Sequence, residues 1–143
     1  MNIDFMKQAV ELAKTSQNDI PVGAVIVKDN KIIATGVNKR EKDNRAIAHA
    51  EIIAIEEANK KLGNWRLNDC EIYVTLEPCP MCASAIIQAR IKNVHFGAYD
   101  IINGAFGSKS DMKTIMSSNI NVKGGILEEE CTKLLKEYFE RLR

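Results

Sequence analysis

The stretch IYVTLEPCPMC, residues 72–82, decides the fold that the sequence predicts. Its first five residues alternate, with Ile72, Val74 and Leu76 on one side, and this pattern is typical of a β-strand. The strand is expected to end at residues 77–78, because a proline such as Pro78 suits the first turn of a helix. The stretch therefore predicts a strand that leads directly into a helix.

A second strand is expected after that helix, over residues 94–98. A strand-helix-strand unit favours parallel pairing of its strands and places its helix on one face of the sheet. The predicted helix has an apolar side made of Cys82, Ala85, Ile86 and Ala89.

The remaining elements are predicted by apolar periodicity and turn composition. A first helix, a hairpin and a second helix precede the central unit, and a short helical turn, a last strand and a long helix follow it. Before the central unit, the first helix has an apolar stripe at Met6, Ala9, Val10 and Ala13, the hairpin strands lie within 21–27 and 31–37, and the second helix covers 49–61. After it, the helical turn lies within 101–121 and the last strand runs through Val122. The long helix has an apolar face made of Leu127, Cys131, Leu134, Leu135, Tyr138 and Leu142. Together they predict one domain, residues 1–143, with the fold of a three-layer αβα sandwich around a mixed sheet.

Composition limits the classes of protein that remain. With 143 residues, of which 45% are hydrophobic and 27% charged, the chain can bury a core without disulfides. It has no run of about 20 apolar residues that would span a membrane and no secretion signal at its N-terminus, so a cytoplasmic location is expected. The net charge of +1 gives no overall attraction to nucleic acid, but residues 39–45, the basic loop, hold four basic side chains. A solvated loop is the alternative interpretation of that segment.

Two of the four cysteines form a pair, Cys79 and Cys82, at the predicted start of a helix. Three residues apart on a first turn, their side chains point the same way, and the positive end of the helix dipole favours their thiolates. His49, at the start of another predicted helix, supplies a third ligand. Two thiolates and an imidazole are the donors that zinc prefers, so we predict a zinc site.

Three protein ligands leave one position of a tetrahedral zinc ion open for water, as a catalytic site requires. Zinc lowers the pKa of water from about 16 to about 7. Glu51 stands two residues from His49 and is predicted to move protons between the water and the substrate without binding the metal.

Two alternatives to a catalytic zinc site remain open from the residues alone. The cysteine pair is either redox-active, or part of a closed zinc site with a fourth ligand. Both alternatives leave Glu51 without a role. The candidate fourth ligands are Cys70, interpreted as a turn residue without an evident role, Cys131, interpreted as a packed small hydrophobe, and His95, interpreted as a structural histidine.

Beyond the zinc segments, most of the chain resembles the bacterial tRNA-specific adenosine deaminases, members of the zinc nucleobase deaminases. Asn38 stands eleven residues before His49. The other segments that carry the resemblance are PVGAV at 21–25, TLEPC at 75–79, FGAYD at 96–100, GAFGS at 104–108, and GIL at 125–127 leading to Glu130 and Cys131.

The resemblance implies a cytidine-deaminase-like fold, a homodimer with one zinc ion per subunit, and conversion of the wobble adenosine in a tRNA anticodon stem-loop to inosine. It implies that Asn38 and the backbone of Ala50 contact the flipped adenosine, and that Asp100, Ser108 and Phe139 lie near the anticodon loop. An anticodon loop offers an unpaired base, which lowers the free energy needed for flipping.

Residues 45–47 depart from the family pattern beside the substrate, as do Asn119 and Ile120, and no basic tail follows Arg143. Weaker RNA binding or reliance on the basic loop is therefore expected. Two other functions compete with the first. A deaminase of a free base or nucleoside, of the guanine or cytosine class, would use the same zinc segments, and a non-catalytic zinc-stabilised RNA-binding module would not need Glu51.

Overall fold

The computed structural model describes residues 1–143 and contains five helices and five strands. The helices are α1 (Ile3–Ala13), α2 (Ala50–Leu62), α3 (Pro80–Gln88), α4 (Met112–Ile115) and α5 (Glu128–Arg141). The strands are β1 (Gly23–Lys28), β2 (Lys31–Val37), β3 (Cys70–Leu76), β4 (Asn93–Ala98) and β5 (Asn121–Lys123). No helix has the length and hydropathy needed to cross a lipid bilayer.

All five strands form a single mixed sheet in the order β2-β1-β3-β4-β5. β1 pairs antiparallel with both β2 and β3, whereas β3, β4 and β5 run parallel. The β1–β2 connection turns at Asp29 and Asn30, which both have positive φ angles, as a tight hairpin turn requires. The parallel pairing predicted for the strand-helix-strand unit is confirmed.

Helices cover both faces of the sheet, so the three-layer arrangement is also confirmed. On one face α2 and α3 close the larger core, with Ile55 and Ile86 against the strand residues Ile26 and Ile72. On the other face α1 and α5 close a smaller core around Tyr73. The predicted stripe of α1 is buried at every one of its four positions, Met6, Ala9, Val10 and Ala13.

Three local predictions were wrong. α3 begins at Pro80 with Cys79 as its N-cap, so Pro80 and not Pro78 starts the helix. Cys70 is not in a turn, because it is the buried first residue of β3. Leu142 is the C-cap of α5 and is 66% exposed, so it does not belong to the buried face of that helix.

Candidate metal centre and active site

The N-termini of two helices meet at the predicted zinc site. His49 is the N-cap of α2 and Cys79 is the N-cap of α3, and both have an extended backbone. Neither side chain makes a capping hydrogen bond to its own helix, so both are free to point between the helices. Cys82 lies in the first turn of α3 and is buried.

The three predicted ligands lie together. The Nδ1 atom of His49 is 3.6 Å from the sulfur of Cys79 and 3.5 Å from the sulfur of Cys82. All three ligand atoms lie within 4.8 Å of one another. Two sulfurs and one imidazole nitrogen at this separation fit zinc, and a set of three leaves one position of a tetrahedron for water or substrate.

The electrostatics of the three ligands favour metal binding. A hydrogen bond from the thiol of Cys82 lowers the pKa of Cys79 to about 4. The same hydrogen bond, with burial, raises the pKa of Cys82 above its usual range. Hydrogen bonding to Cys79 raises the pKa of His49. The lowered pKa of Cys79 favours the thiolate form that a metal ion needs, whereas Cys82 would have to lose its proton when a metal ion binds.

Glu51 lies in the first turn of α2, beside the ligands but outside the ligand set. Its side chain is buried, and burial raises the pKa of its carboxyl group to about 7. A carboxyl group with a pKa near neutral pH both accepts and releases protons readily, as a general acid-base requires.

A cavity of about 530 Å³ opens above the metal ligands, at the carboxyl ends of β3 and β4. Ligand cavities are often found at this edge of parallel strands. Its lining includes the predicted residues Asn38, Ala50, Glu51 and Asp100.

Asn38 and Ala50 offer hydrogen-bonding groups to the cavity. The side chain of Asn38 is buried, and its amide nitrogen donates to the carbonyl of Ile20 while its oxygen accepts from the N–H of Arg40. One N–H and one lone pair remain on that amide. Ala50 is the first residue of α2, and N–H groups in a first turn have no partner within their helix.

Ser108 and Phe139 lie outside the cavity lining. The hydroxyl and the N–H of Ser108 both bond to Glu77. Phe139 is 48% exposed on α5, while its neighbour Tyr138 lines the cavity and donates to the carbonyl of Asn18. Tyr138 belongs to the apolar face predicted for the last helix, so the sequence already indicated that its side chain points inward.

The sequence interpretation missed two buried carboxylates in the cavity wall. Asp19 accepts hydrogen bonds from the N–H groups of Glu41 and Lys42, at 2.7 and 3.2 Å, and so fixes the basic loop. Glu77 accepts from the segment that follows β4. The only signal in the sequence was an acidic residue, Glu77, directly after an apolar strand.

The three candidate fourth ligands are occupied elsewhere. His95 is buried, its Nε2 atom lies 2.9 Å from a carboxylate oxygen of Glu71, and its ring stacks on Tyr73 at 4.4 Å. Cys131 packs in the smaller core, and Cys70 in the larger one. The interpretation of Cys131 as a packed residue is confirmed, His95 is a buried structural histidine whose Nδ1 atom has no hydrogen-bond partner, and a closed zinc site completed by Cys70, Cys131 or His95 is excluded.

Comparison with known proteins agrees with this site. The family model described as the cytidine and deoxycytidylate deaminase zinc-binding region matches residues 1–98. The tRNA-specific adenosine deaminase of Bacillus subtilis (strain 168) is 43% identical over an alignment 143 residues long, which covers 97% of this chain and 89% of that protein.

Solved structures extend the likeness to the fold. A structure from a study of A-to-I editing by tRNA:A34 deaminases at the wobble position superimposes with a TM-score of 0.87 and 36% identity, covering 94% of this chain and 100% of that chain. The guanine deaminase of Nitrosomonas europaea superimposes with a TM-score of 0.83 and 26% identity, covering 96% and 84%. The cytidine-deaminase-like fold is thus confirmed. The chain therefore belongs to the zinc-binding cytidine and deoxycytidylate deaminase family, and the bacterial tRNA-specific adenosine deaminases are its relatives within that family.

Proposed function

We propose that this zinc-dependent deaminase converts the wobble adenosine of a tRNA anticodon loop to inosine. The observation that carries the proposal is that one open cavity is lined by Glu51, by the ligands His49 and Cys79, and by Arg40 of the basic loop. A single unpaired nucleotide can enter such a cavity while its neighbouring phosphates contact basic side chains. The 43% identity to a tRNA-specific adenosine deaminase supports the same substrate.

In the proposed reaction, water adds to C6 of adenine and ammonia leaves. His49, Cys79 and Cys82 hold the zinc ion, which when bound activates water as a nucleophile at neutral pH. Glu51 would take a proton from the attacking water and give it to the ring nitrogen N1, and would then take the proton of the new C6 hydroxyl group and give it to the departing amino group. The carboxyl group ends in its starting state, so it serves every turnover.

Asn38 and Ala50 are proposed to orient the base. Both residues line the cavity, so the remaining N–H and lone pair of the Asn38 amide and the N–H of Ala50 would be available to polar atoms of the purine. Asp100 is proposed to contact the sugar or a neighbouring nucleotide from the opposite wall. Ser108 and Phe139 remain proposed members of the surface around the anticodon loop.

A free-base deaminase is the second candidate, because the guanine deaminase of Nitrosomonas europaea has the same fold. The zinc ligands do not discriminate between the two candidates. The decisive experiment incubates the zinc-loaded chain with an anticodon stem-loop that carries adenosine at the wobble position, and in parallel with adenine, guanine, cytosine and their nucleosides.

We expect inosine in the stem-loop and no turnover of the free compounds. A matched control stem-loop with its adenosine placed inside the paired stem should stay unmodified, since that base cannot leave its stack at low free-energy cost. Turnover of a free base alone would reject the tRNA proposal in favour of the second candidate.

A homodimer, which the family resemblance implies, and a cytoplasmic location, which a tRNA-modifying activity supports, complete the proposal. Light scattering coupled to size exclusion should give twice the 16.0 kDa mass of the chain. A monomer at the concentration of the activity assay would contradict the proposed dimer without affecting the proposed reaction.

A further inference from the structure

Glu77 is buried in the wall of the cavity, next to residues 78–82, which we name the metal segment because they include the ligands Cys79 and Cys82. Its Oε1 atom accepts hydrogen bonds from the N–H of Asp100, at 3.1 Å, and from the hydroxyl of Ser108. Its Oε2 atom accepts from the N–H groups of Phe106 and Ser108, both at 3.1 Å. One carboxylate therefore binds both ends of residues 100–108, which we name the wall loop.

The wall loop fits closely around this carboxylate. Gly104 lies so near that a Cβ atom there would stand 2.5 Å from Oε1 of Glu77, and it would also overlap the carbonyl of Asp100. The N–H of Gly104 donates to that same carbonyl at 2.7 Å. Any side chain at position 104 would displace the loop or the carboxylate.

The wall loop lines the cavity through Asp100 and Asn103. Its other side is tied to the metal segment, because the N–H of Ala105 donates to the carbonyl of Pro78 at 2.8 Å. Glu77 itself stands two residues before the ligand Cys79. The carboxylate thus connects the segment that holds the metal with the wall that faces the substrate.

We propose that Glu77 is a positioning residue, which holds the wall loop in the conformation that admits the substrate nucleotide. This inference rests on the proposed function for the identity of the substrate, although the contacts themselves do not depend on it. Glu77 touches no reacting atom in this role, because its oxygens are occupied by the loop.

A role of Glu77 in positioning predicts different effects on KM and on kcat. When the competent loop conformation is only a fraction of the population, apparent affinity falls by that fraction. A loosened wall loop therefore raises KM, while a saturating substrate restores the competent conformation and leaves kcat unchanged. A loss of folded protein would instead lower the apparent kcat and leave KM as it was.

The test compares Glu77→Gln with Glu71→Gln. The amide introduced at position 77 would have one acceptor oxygen, so its NH₂ group would face an N–H donor of the loop in either orientation. Glu71 lies in β3, the strand that Glu77 directly follows, and undergoes the same chemical change, but its carboxylate contacts His95 at the far end of that strand. It is the matched control.

We expect Glu77→Gln to raise KM for the anticodon stem-loop by about tenfold, with kcat within about twofold of wild type. Zinc content should be unchanged, and hydrogen exchange at the amides of Asp100, Phe106 and Ser108 should become faster. Glu71→Gln should leave all of these quantities unchanged. Gly104→Ala, which disturbs the same contact from the loop side, should reproduce the Glu77→Gln pattern and decides the matter if Glu77→Gln does not fold.

Faster exchange with an unchanged KM would overturn the positioning role, and so would a loss of zinc or of kcat at constant KM. Failure of the proposed function is a separate outcome, visible as a wild-type chain that does not modify the stem-loop. In that case KM is measured on the free base that the wild type does turn over, and the same criteria apply.

Discussion

At the residue scale, the proposed chemistry depends on one buried carboxyl group, Glu51, whose pKa burial raises to about 7. Glu51→Gln keeps the volume and removes the titrating group. We expect zinc content to remain at the wild-type level, because Glu51 is outside the ligand set, and kcat to fall by about 10²- to 10⁴-fold. Metal analysis and single-turnover kinetics on the same sample check both parts.

The control for that variant is Glu57→Gln. Glu57 lies on the exposed side of the same helix, so its substitution should change neither quantity. Loss of zinc in Glu51→Gln would show that Glu51 is a ligand and would contradict the assigned role.

The cysteines differ in reactivity for physical reasons visible in the structure. Burial raises the pKa of Cys131 to about 12, whereas Cys79 is half-buried with a pKa lowered to about 4. In chelator-treated protein at pH 7.5, iodoacetamide should alkylate Cys79 and spare Cys131 until the chain unfolds. Peptide mass spectrometry checks this, and rapid native alkylation of Cys131 would show that the smaller core is open.

The same shift has a consequence for stability. The pKa of Cys131 is higher in the folded chain than the unfolded thiol value of about 8.5, so the folded state favours the protonated thiol. Its contribution to stability is fully present below that value and is lost as the pH rises towards 12.

At the scale of elements, the sequence predicted every strand and helix, because each has a strong apolar period or a turn at its boundary. The errors fall at ends, such as the start of α3 at Pro80 and the exposure of Leu142. Helix ends depend on capping and on how far the neighbouring sheet extends, and neither is encoded in the local period.

The residues of the site also fall into those that the sequence predicts and those that it does not. His49, Cys79 and Cys82 have chemistry that their spacing reveals, so they were predictable. Asp19 and Glu77 accept hydrogen bonds from residues more than 20 positions away in the sequence. Asp19 accepts from the N–H of Glu41, and Glu77 accepts from the N–H of Asp100. Apart from the position of Glu77 directly after an apolar strand, nothing local distinguishes these two residues from ordinary surface acids.

Close approach of a helix to the sheet fixes the metal ligands. Gly36 of β2 faces α2, and a Cβ atom there would stand 2.9 Å from the backbone nitrogen of Ala54 and overlap the carbonyl of Ala50. Gly36→Ala should push α2, with His49, away from the sheet. We expect zinc affinity at least tenfold weaker in competition with a chromophoric chelator, and stability lower by about 1–3 kcal/mol.

Gly23→Ala is the matched control for the helix displacement. Gly23 lies in the neighbouring strand β1 but faces α1, where a Cβ atom would stand 2.8 Å from the backbone nitrogen of Ala13. This substitution should destabilise the fold similarly and leave zinc affinity near the wild-type value. Equal loss of zinc affinity in both variants would mean that general destabilisation, and not the position of α2, controls the metal site.

At the scale of the whole molecule, the mixed sheet brings the chemistry to one edge. The parallel pair β3 and β4 both end at this edge, and α2 and α3 both begin there, so ligands separated by 30 residues in sequence meet. The cavity walls come from the connections that these elements require at the same edge. A fold of this kind can serve different substrates through its loops, and this chain superimposes both on a tRNA:A34 deaminase structure and on a guanine deaminase.

Because zinc joins the N-termini of α2 and α3, its removal should weaken the whole fold. A ligand bound only by the folded state stabilises it by about 2.7 kcal/mol at a concentration 100 times its Kd. For a chain of this length that corresponds to a melting temperature lower by roughly 5–10 °C after chelation, with recovery on adding zinc.

Differential scanning fluorimetry on the wild type, His49→Ala and Glu51→Gln separates the loss of a metal ligand from the loss of activity. His49→Ala should melt at the same temperature with and without zinc, because a ligand is lost, whereas Glu51→Gln should keep the full zinc-dependent shift although it is inactive. A wild type whose melting temperature ignores zinc would show that the ion does not connect the two helices, and a Glu51→Gln protein without the shift would place that carboxylate on the metal.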